Sequence, residues 1–173
     1  MQADSEQLKH ALSHLPGGVT IVTSRDEEGN PCGLTAISVC SVSLNPPLVL
    51  VCIERSTNTH AAIDGSRVYG INFLGDAHRE LADRFSGSGE KFDGVEHDVH
   101  LTGAPILNDA VASCDCSVVV AVPAGDHTIF VGRVEAVRTT PPPVAAPLIR
   151  YKGQYETLEP SGDDRAGESR DTE

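Results

Sequence analysis

Tryptophan is absent from this 173-residue chain, and aromatic residues are limited to four phenylalanines and three tyrosines. Platforms on which successive nucleic-acid bases could stack are hard to assemble from so few rings, so the core must be built from Val, Ile, Leu and Ala. Positive charge is also scarce: 13 Lys and Arg stand against 25 Asp and Glu, a formal charge of −12. A surface of that sign repels a phosphate backbone or an anionic membrane, so neither nucleic acid nor membrane is an expected partner. No apolar run approaches the roughly 20 residues of a membrane span. Met1-Gln2-Ala3-Asp4-Ser5-Glu6 lacks the basic then apolar start of a signal peptide, and a cytoplasmic location is expected.

Several chemistries are missing as motifs. Gly87-Ser88-Gly89-Glu90-Lys91-Phe92 fails the dinucleotide fingerprint at its last position, and neither a G-x-x-x-x-G-K-[ST] loop nor a G-x-S-x-G elbow occurs. The five cysteines, Cys32, Cys40, Cys52, Cys114 and Cys116, form no C-x-x-C pair and read as reduced, buried thiols. Period-two alternation puts Cys114 and Cys116 on one face with Val118, Val120 and Val122. His10 and His14 have a metal-compatible spacing but lie opposite Leu8, Leu12 and Leu15 on a helical wheel, and His97 and His100 have no matching cluster. No metal site is expected.

What remains is a one-domain chain of ordinary apolar content. A short amphipathic helix, capped at Asp4 or Ser5 and stopped at Pro16-Gly17-Gly18, precedes three consecutive strands over Val19–Thr23, Gly33–Leu44 and Leu48–Ile53. A helix near Thr59–Ile63, a strand over Arg67–Leu74 and a helix through Leu81 and Phe85 follow. Residues 86–110 read as the most irregular stretch. Cys114–Val122 and His127–Val137 form a wide hairpin, Pro141-Pro142-Pro143 breaks the pattern, and Leu148–Tyr151 is a last short strand. Strands this closely spaced favour a mainly β fold, an antiparallel barrel with a few peripheral helices. Residues 1–158 form the domain, and Glu159–Glu173 reads as a disordered acidic tail.

The informative stretch is Gly33-Leu34-Thr35-Ala36-Ile37-Ser38-Val39-Cys40-Ser41-Val42-Ser43-Leu44-Asn45-Pro46-Pro47-Leu48, whose interleaved hydroxyls can offer donors to a phosphate. By chemistry alone it also fits a strand whose outer face is Ser and Thr. With Glu54-Arg55-Ser56-Thr57-Asn58-Thr59-His60, Tyr69–Leu74, Leu81–Gly87, Glu90-Lys91-Phe92, Gly103–Leu107, Gly125–Val134 and Leu148–Tyr155, it resembles the flavin reductase family built on the FMN-binding split barrel, over roughly residues 10–156.

The resemblance implies a Greek-key-like split β-barrel, usually a homodimer. It also implies an NAD(P)H:flavin oxidoreductase that takes hydride from NADH or NADPH to FMN or FAD and supplies reduced flavin to a partner monooxygenase or halogenase. On that basis Thr35, Ala36, Ser38, Cys52, Ile53, Ser56 and Thr59 contact the flavin, with Lys91 near its phosphate and Phe92 ranked below them. His127 of the Gly-Asp-His motif is the expected catalytic residue, set in the nicotinamide pocket with Tyr151 as a second wall. Period two places His127, Ile129 and Val131 on one strand face, with the imidazole at the strand's entrance. Rival expectations are a flavin-binding electron-transfer protein of the same fold and a β-barrel carrier of a small apolar ligand. An oxidase of the pyridoxamine-phosphate type lacks its basic phosphate pattern here.

Overall fold

A computed structural model describes residues 4–140 and 145–158, so the expected tail from Glu159 to Glu173 and the Pro141-Pro142-Pro143 break lie outside the described residues. Helix α1 (Ser5–Leu12) starts in a capping box: Asp4 accepts the Gln7 amide at 2.8 Å while the Gln7 side chain returns to the Asp4 amide. Its apolar stripe stays in solvent, with Leu8, Leu12 and Leu15 each more than half exposed. Among the described residues no helix is long and apolar enough to cross a membrane.

Strands β1 (Gly17–Gly18), β2 (Thr20–Arg25), β3 (Pro31–Ala36), β4 (Val39–Leu44) and β5 (Pro47–Glu54) precede helix α2 (Asn58–Ser66). β6 (Val68–Phe73), a single 3-10 turn over Asp76–His78 and helix α3 (Arg79–Ser86) follow. Next come β7 (His97–Val99), β8 (Pro105–Leu107), β9 (Ala112–Ala124), β10 (His127–Thr139), β11 (Leu148–Tyr151) and β12 (Gln154–Thr157). The main sheet has seven antiparallel strands in the order β3-β2-β6-β9-β10-β5-β4, and β1-β11-β12 form a smaller sheet. The mainly β, antiparallel architecture expected from the sequence is the one observed.

Four local expectations need correction. The segment Gly33–Leu44 is divided at Ile37-Ser38, because β3 pairs with β2 whereas β4 pairs with β5, which sends the two to opposite edges of the sheet. Ser38 secures the crossing: its hydroxyl donates to the Cys52 carbonyl at 2.9 Å, and the Cys52 amide returns to the Ser38 carbonyl at 3.2 Å. The stretch 86–110 contains a small ladder of β7 with β8. The β9–β10 hairpin is tight, since His127 pairs with Ala124 across Gly125-Asp126, and Gly125 supplies the left-handed φ of +64° that so short a turn requires.

The fourth correction concerns a bulge. Val131 pairs with Val120 but Gly132 pairs with Val118, so Val119 is an extra residue. Inward packing therefore runs Cys114, Cys116, Val118 and then Ala121. Val120 and Val122 leave the face of the two sulfurs and are 46% and 45% exposed.

β2 separates two cores. Val22 packs with Ile53, Tyr69, Ile71 and Phe130, while Val19 and Ile21 pack with Phe85, Leu107 and Leu148. Burial of each such side chain stabilises the fold by roughly 1.5–3 kcal/mol. β2 is buried on both faces from Thr20 to Ser24, and its polar members are satisfied there: the Thr20 hydroxyl donates to the Ala36 carbonyl at 2.8 Å and the Ser24 hydroxyl to the Val68 carbonyl at 2.8 Å.

Candidate functional site

β3, α2 and the segment 87–92 enclose a cleft of about 1280 Å³. Its floor is Cys32, Gly33 and Leu34; Thr57, Asn58 and Thr59 form one wall, and Gly87 to Phe92 the other. The β2–β3 turn brings Asp26, Glu27 and Glu28 to the rim with Arg25, and Glu90 adds a further carboxylate.

Thr57 begins α2 by accepting the His60 amide on Oγ1 at 3.1 Å while its hydroxyl donates to the Glu54 carbonyl at 2.8 Å. Amides in a helix's first turn have no intrahelical acceptor, and these lie against the cleft, an arrangement suited to an anionic group. Lys91 is the nearby cation. Its Nζ donates to the carbonyls of Gly33 at 3.2 Å and Phe85 at 3.0 Å, leaving one of its three donors for a ligand. Burial pushes the Lys91 pKa down, so the amine is partly desolvated. Burial also raises the Cys32 thiol to about 11, which keeps it protonated and unreactive at neutral pH.

His127 stands at a second position. In the β5–β10 ladder it pairs with Glu54, Thr128 with Ile53, and Ile129 with Cys52. The Arg55 amide donates to the Asp126 carbonyl at 2.9 Å, so the hairpin turn rests on the turn that leaves β5. His127 Nδ1 lies 2.7 Å from Asp126 Oδ1, and this hydrogen bond holds the Asp126 carboxyl below its ordinary range. His127, Ile129 and Val131 are half-buried while Thr128 and Phe130 are buried, the alternation expected from the sequence. The segment Glu54–Thr59 joins the two positions, with His127's ladder partner at one end and the cleft wall at the other.

The structure distributes the sequence-predicted residues unevenly. Thr59, Lys91 and Phe92 line the cleft. Phe92 also packs edge-on against Phe85 with ring centroids 5.0 Å apart. Ser38 and Cys52 form the crossing beside β5, and the Ser56 hydroxyl donates to Glu54 Oε1 at 2.7 Å. Thr35 spends its hydroxyl on the Ala82 carbonyl of α3 at 2.6 Å, and the Ala36 carbonyl accepts from Thr20 at 2.8 Å. Ile53 is fully buried and supports the core. Tyr151 belongs to the smaller sheet, where the Lys152 ammonium lies 5.4 Å from its ring centroid. Sequence reasoning missed Thr57 as the helix cap, His60, and the acidic rim; only Thr57, a hydroxyl residue directly before a helical run, carried a readable signal.

The pattern described as "Flavin reductase like domain" matches residues 12–159. The chain belongs to the flavin reductase family. It is 41% identical to the actinorhodin polyketide dimerase of Streptomyces coelicolor over 138 residues, 79% of this chain and 78% of that protein. It is 34% identical to HsaB of Rhodococcus jostii, a flavin-dependent monooxygenase reductase subunit, across 91% of this chain and 80% of the relative. Among solved structures, the Streptomyces globisporus NADH:FAD oxidoreductase SgcE6 in complex with NAD and FAD fragments superposes with a TM-score of 0.84 at 30% identity, covering 94% of this chain and 99% of that one. Other relatives are longer: this flavin reductase-family chain spans 43% and 60% of two Rhizobium meliloti proteins.

Proposed function

We propose that this family member is an NAD(P)H:flavin oxidoreductase that reduces FMN or FAD and releases the reduced flavin to a separate oxygenase or halogenase component. The observation that carries the reading is the Glu54–Thr59 segment, which links a cleft furnished for an anionic nucleotide to a histidine at a strand entrance. HsaB, named as the reductase subunit of a monooxygenase, and SgcE6, solved with NAD and FAD fragments, support the substrates and the partner.

A flavin supplies the hydride acceptor, and transfer from a dihydronicotinamide to it needs no protein base. The protein's work is therefore binding, alignment and exclusion of water. In this reading Lys91, Thr59 and the first turn of α2 hold the phosphate end, and Ser38, Cys52 and Ser56 lie along the flavin's path beside β5. Thr35, Ala36 and Ile53 support that path through backbone and core. Phe92 walls the cleft. His127 orients the nicotinamide carboxamide or the charge of the reduced ring, and Tyr151 provides a further wall.

The active form in this reading is a cytoplasmic homodimer, with a second copy covering the outer sheet face where Val119, Val120 and Val122 are 45%, 46% and 45% exposed. The test is oxidation of NADH or NADPH by purified protein supplied with FMN or FAD. A rate equal to the flavin-only background would refute the proposal, and a tightly retained yellow flavin without turnover would favour an electron-transfer protein.

A further inference from the structure

One contact between largely buried groups joins the two positions from the inside. His60 Nε2 lies 2.8 Å from Thr128 Oγ1, and the His60 ring centroid is 5.3 Å from that of Phe130. Thr128 is 5% exposed and turns inward, directly after His127, which turns outward. At its backbone, His60 donates to Thr57 Oγ1, whose hydroxyl donates in turn to the Glu54 carbonyl. Glu54 pairs with His127, and the Arg55 amide holds the Asp126 carbonyl. The contacts close a circuit through β5, the first turn of α2 and the start of β10.

Without the His60 contact, the corner Asp126–Thr128 would be held by backbone alone, at the ends of the β5 and β9 ladders, by the Arg55–Asp126 bond and by a two-residue turn, the part of a hairpin most prone to fray. With it, the corner is pinned to the helix whose first turn lines the cleft. We propose that His60 is a positioning residue for flavin reduction: through Thr128 it fixes His127 relative to the cleft wall. This rests on the reading of His127 as the nicotinamide-facing residue. An imidazole that merely fills the core would be bonded here without affecting substrate affinity, and the experiment separates the two.

Thr128→Val and His60→Leu each remove the bond, whereas Thr128→Ser and His60→Gln keep a partner for it. The KM for the nicotinamide is expected to rise about fivefold in each removing variant, with kcat changed less than about twofold, and the double variant is expected to be no worse than either single one. The two conservative variants are expected to stay close to the unaltered protein. A lowered melting temperature with unchanged KM, or effects that multiply in the double variant, would overturn the proposal.

A second readout needs no turnover. The His127 imidazole ¹⁵N resonances, assigned by their loss in His127→Gln, are expected to move in Thr128→Val and return in Thr128→Ser. Resonances that do not move overturn the positioning role. Resonances that move in a protein unable to oxidise NADH would sustain the positioning and refute the reductase reading.

Discussion

Glu54 faces His127 directly across the β5–β10 ladder, and its carboxylate accepts the Ser56 hydroxyl at 2.7 Å. Removing the imidazole therefore leaves the ladder intact, because the pairing is made by backbone. His127→Ala is expected to lower kcat/KM for the nicotinamide about tenfold with little change in melting temperature, read by steady-state oxidation at saturating flavin. Undiminished kcat/KM would remove His127 from the site.

Lys91→Met keeps the apolar stem but deletes both donors to the carbonyls of Gly33 and Phe85. Charge-assisted bonds of this kind contribute about 1.5–3 kcal/mol each, and the segment 87–92 would loosen with them. Flavin affinity is expected to fall about tenfold, measured by quenching of flavin fluorescence, and an unchanged dissociation constant would place the phosphate elsewhere.

Gly132 owes its identity to Tyr69. A Cβ built there would lie 2.3 Å from Tyr69 Oη and 2.7 Å from Cζ of a ring that is fully buried. Gly132→Ala is expected to cost about 2–3 kcal/mol in urea denaturation. Adding Tyr69→Phe removes the nearer clash and is expected to restore part of that loss; no recovery would locate the strain in the backbone.

Burial raises the pKa of Cys32 to about 11 and pushes the thiols of Cys52, Cys114 and Cys116 and the Tyr69 phenol upward in the same direction. The folded protein keeps these protons after the unfolded chain has released them, so stability is complete below the ordinary thiol value of 9.0 and falls as pH rises through it. Melting temperature is expected to hold steady to about pH 8 and decline from about pH 9 to 10.5. A flat profile across that window would contradict the burial of these groups.

Val120→Asp places a charge on the outer sheet face without entering the core. If a second copy covers that face, the substitution will halve the mass seen by light scattering while the monomer's circular dichroism stays unchanged. A variant of undiminished mass would move the contact to another surface.

The long strands and both central helices were legible because their apolar periods and breakers are local signals, whereas Lys91 was singled out only through the family resemblance. The bulge at Val119 was not, since Ser117-Val118-Val119-Val120-Ala121-Val122 presents β-forming residues in either register. The break at Ile37-Ser38 lacks Gly and Pro, and only the competing pairings of β3 and β4 reveal it. Thr35 was readable as a hydroxyl, but its acceptor on Ala82 lies 47 residues away. His60 likewise meets Thr128 across 68 residues, a distance over which local patterns carry no information.

Asp26, Glu27, Glu28 and Glu90 ring the mouth of the cleft, with only Arg25 and Lys91 against them. For a phosphate-bearing visitor this arrangement reverses the usual effect of salt. Ions that shorten the screening length to about 10 Å at 0.1 M will speed entry instead of slowing it. The same ring opposes passage in both directions, so retention of an anion rests on the short-range donors inside the cleft and not on attraction from its mouth.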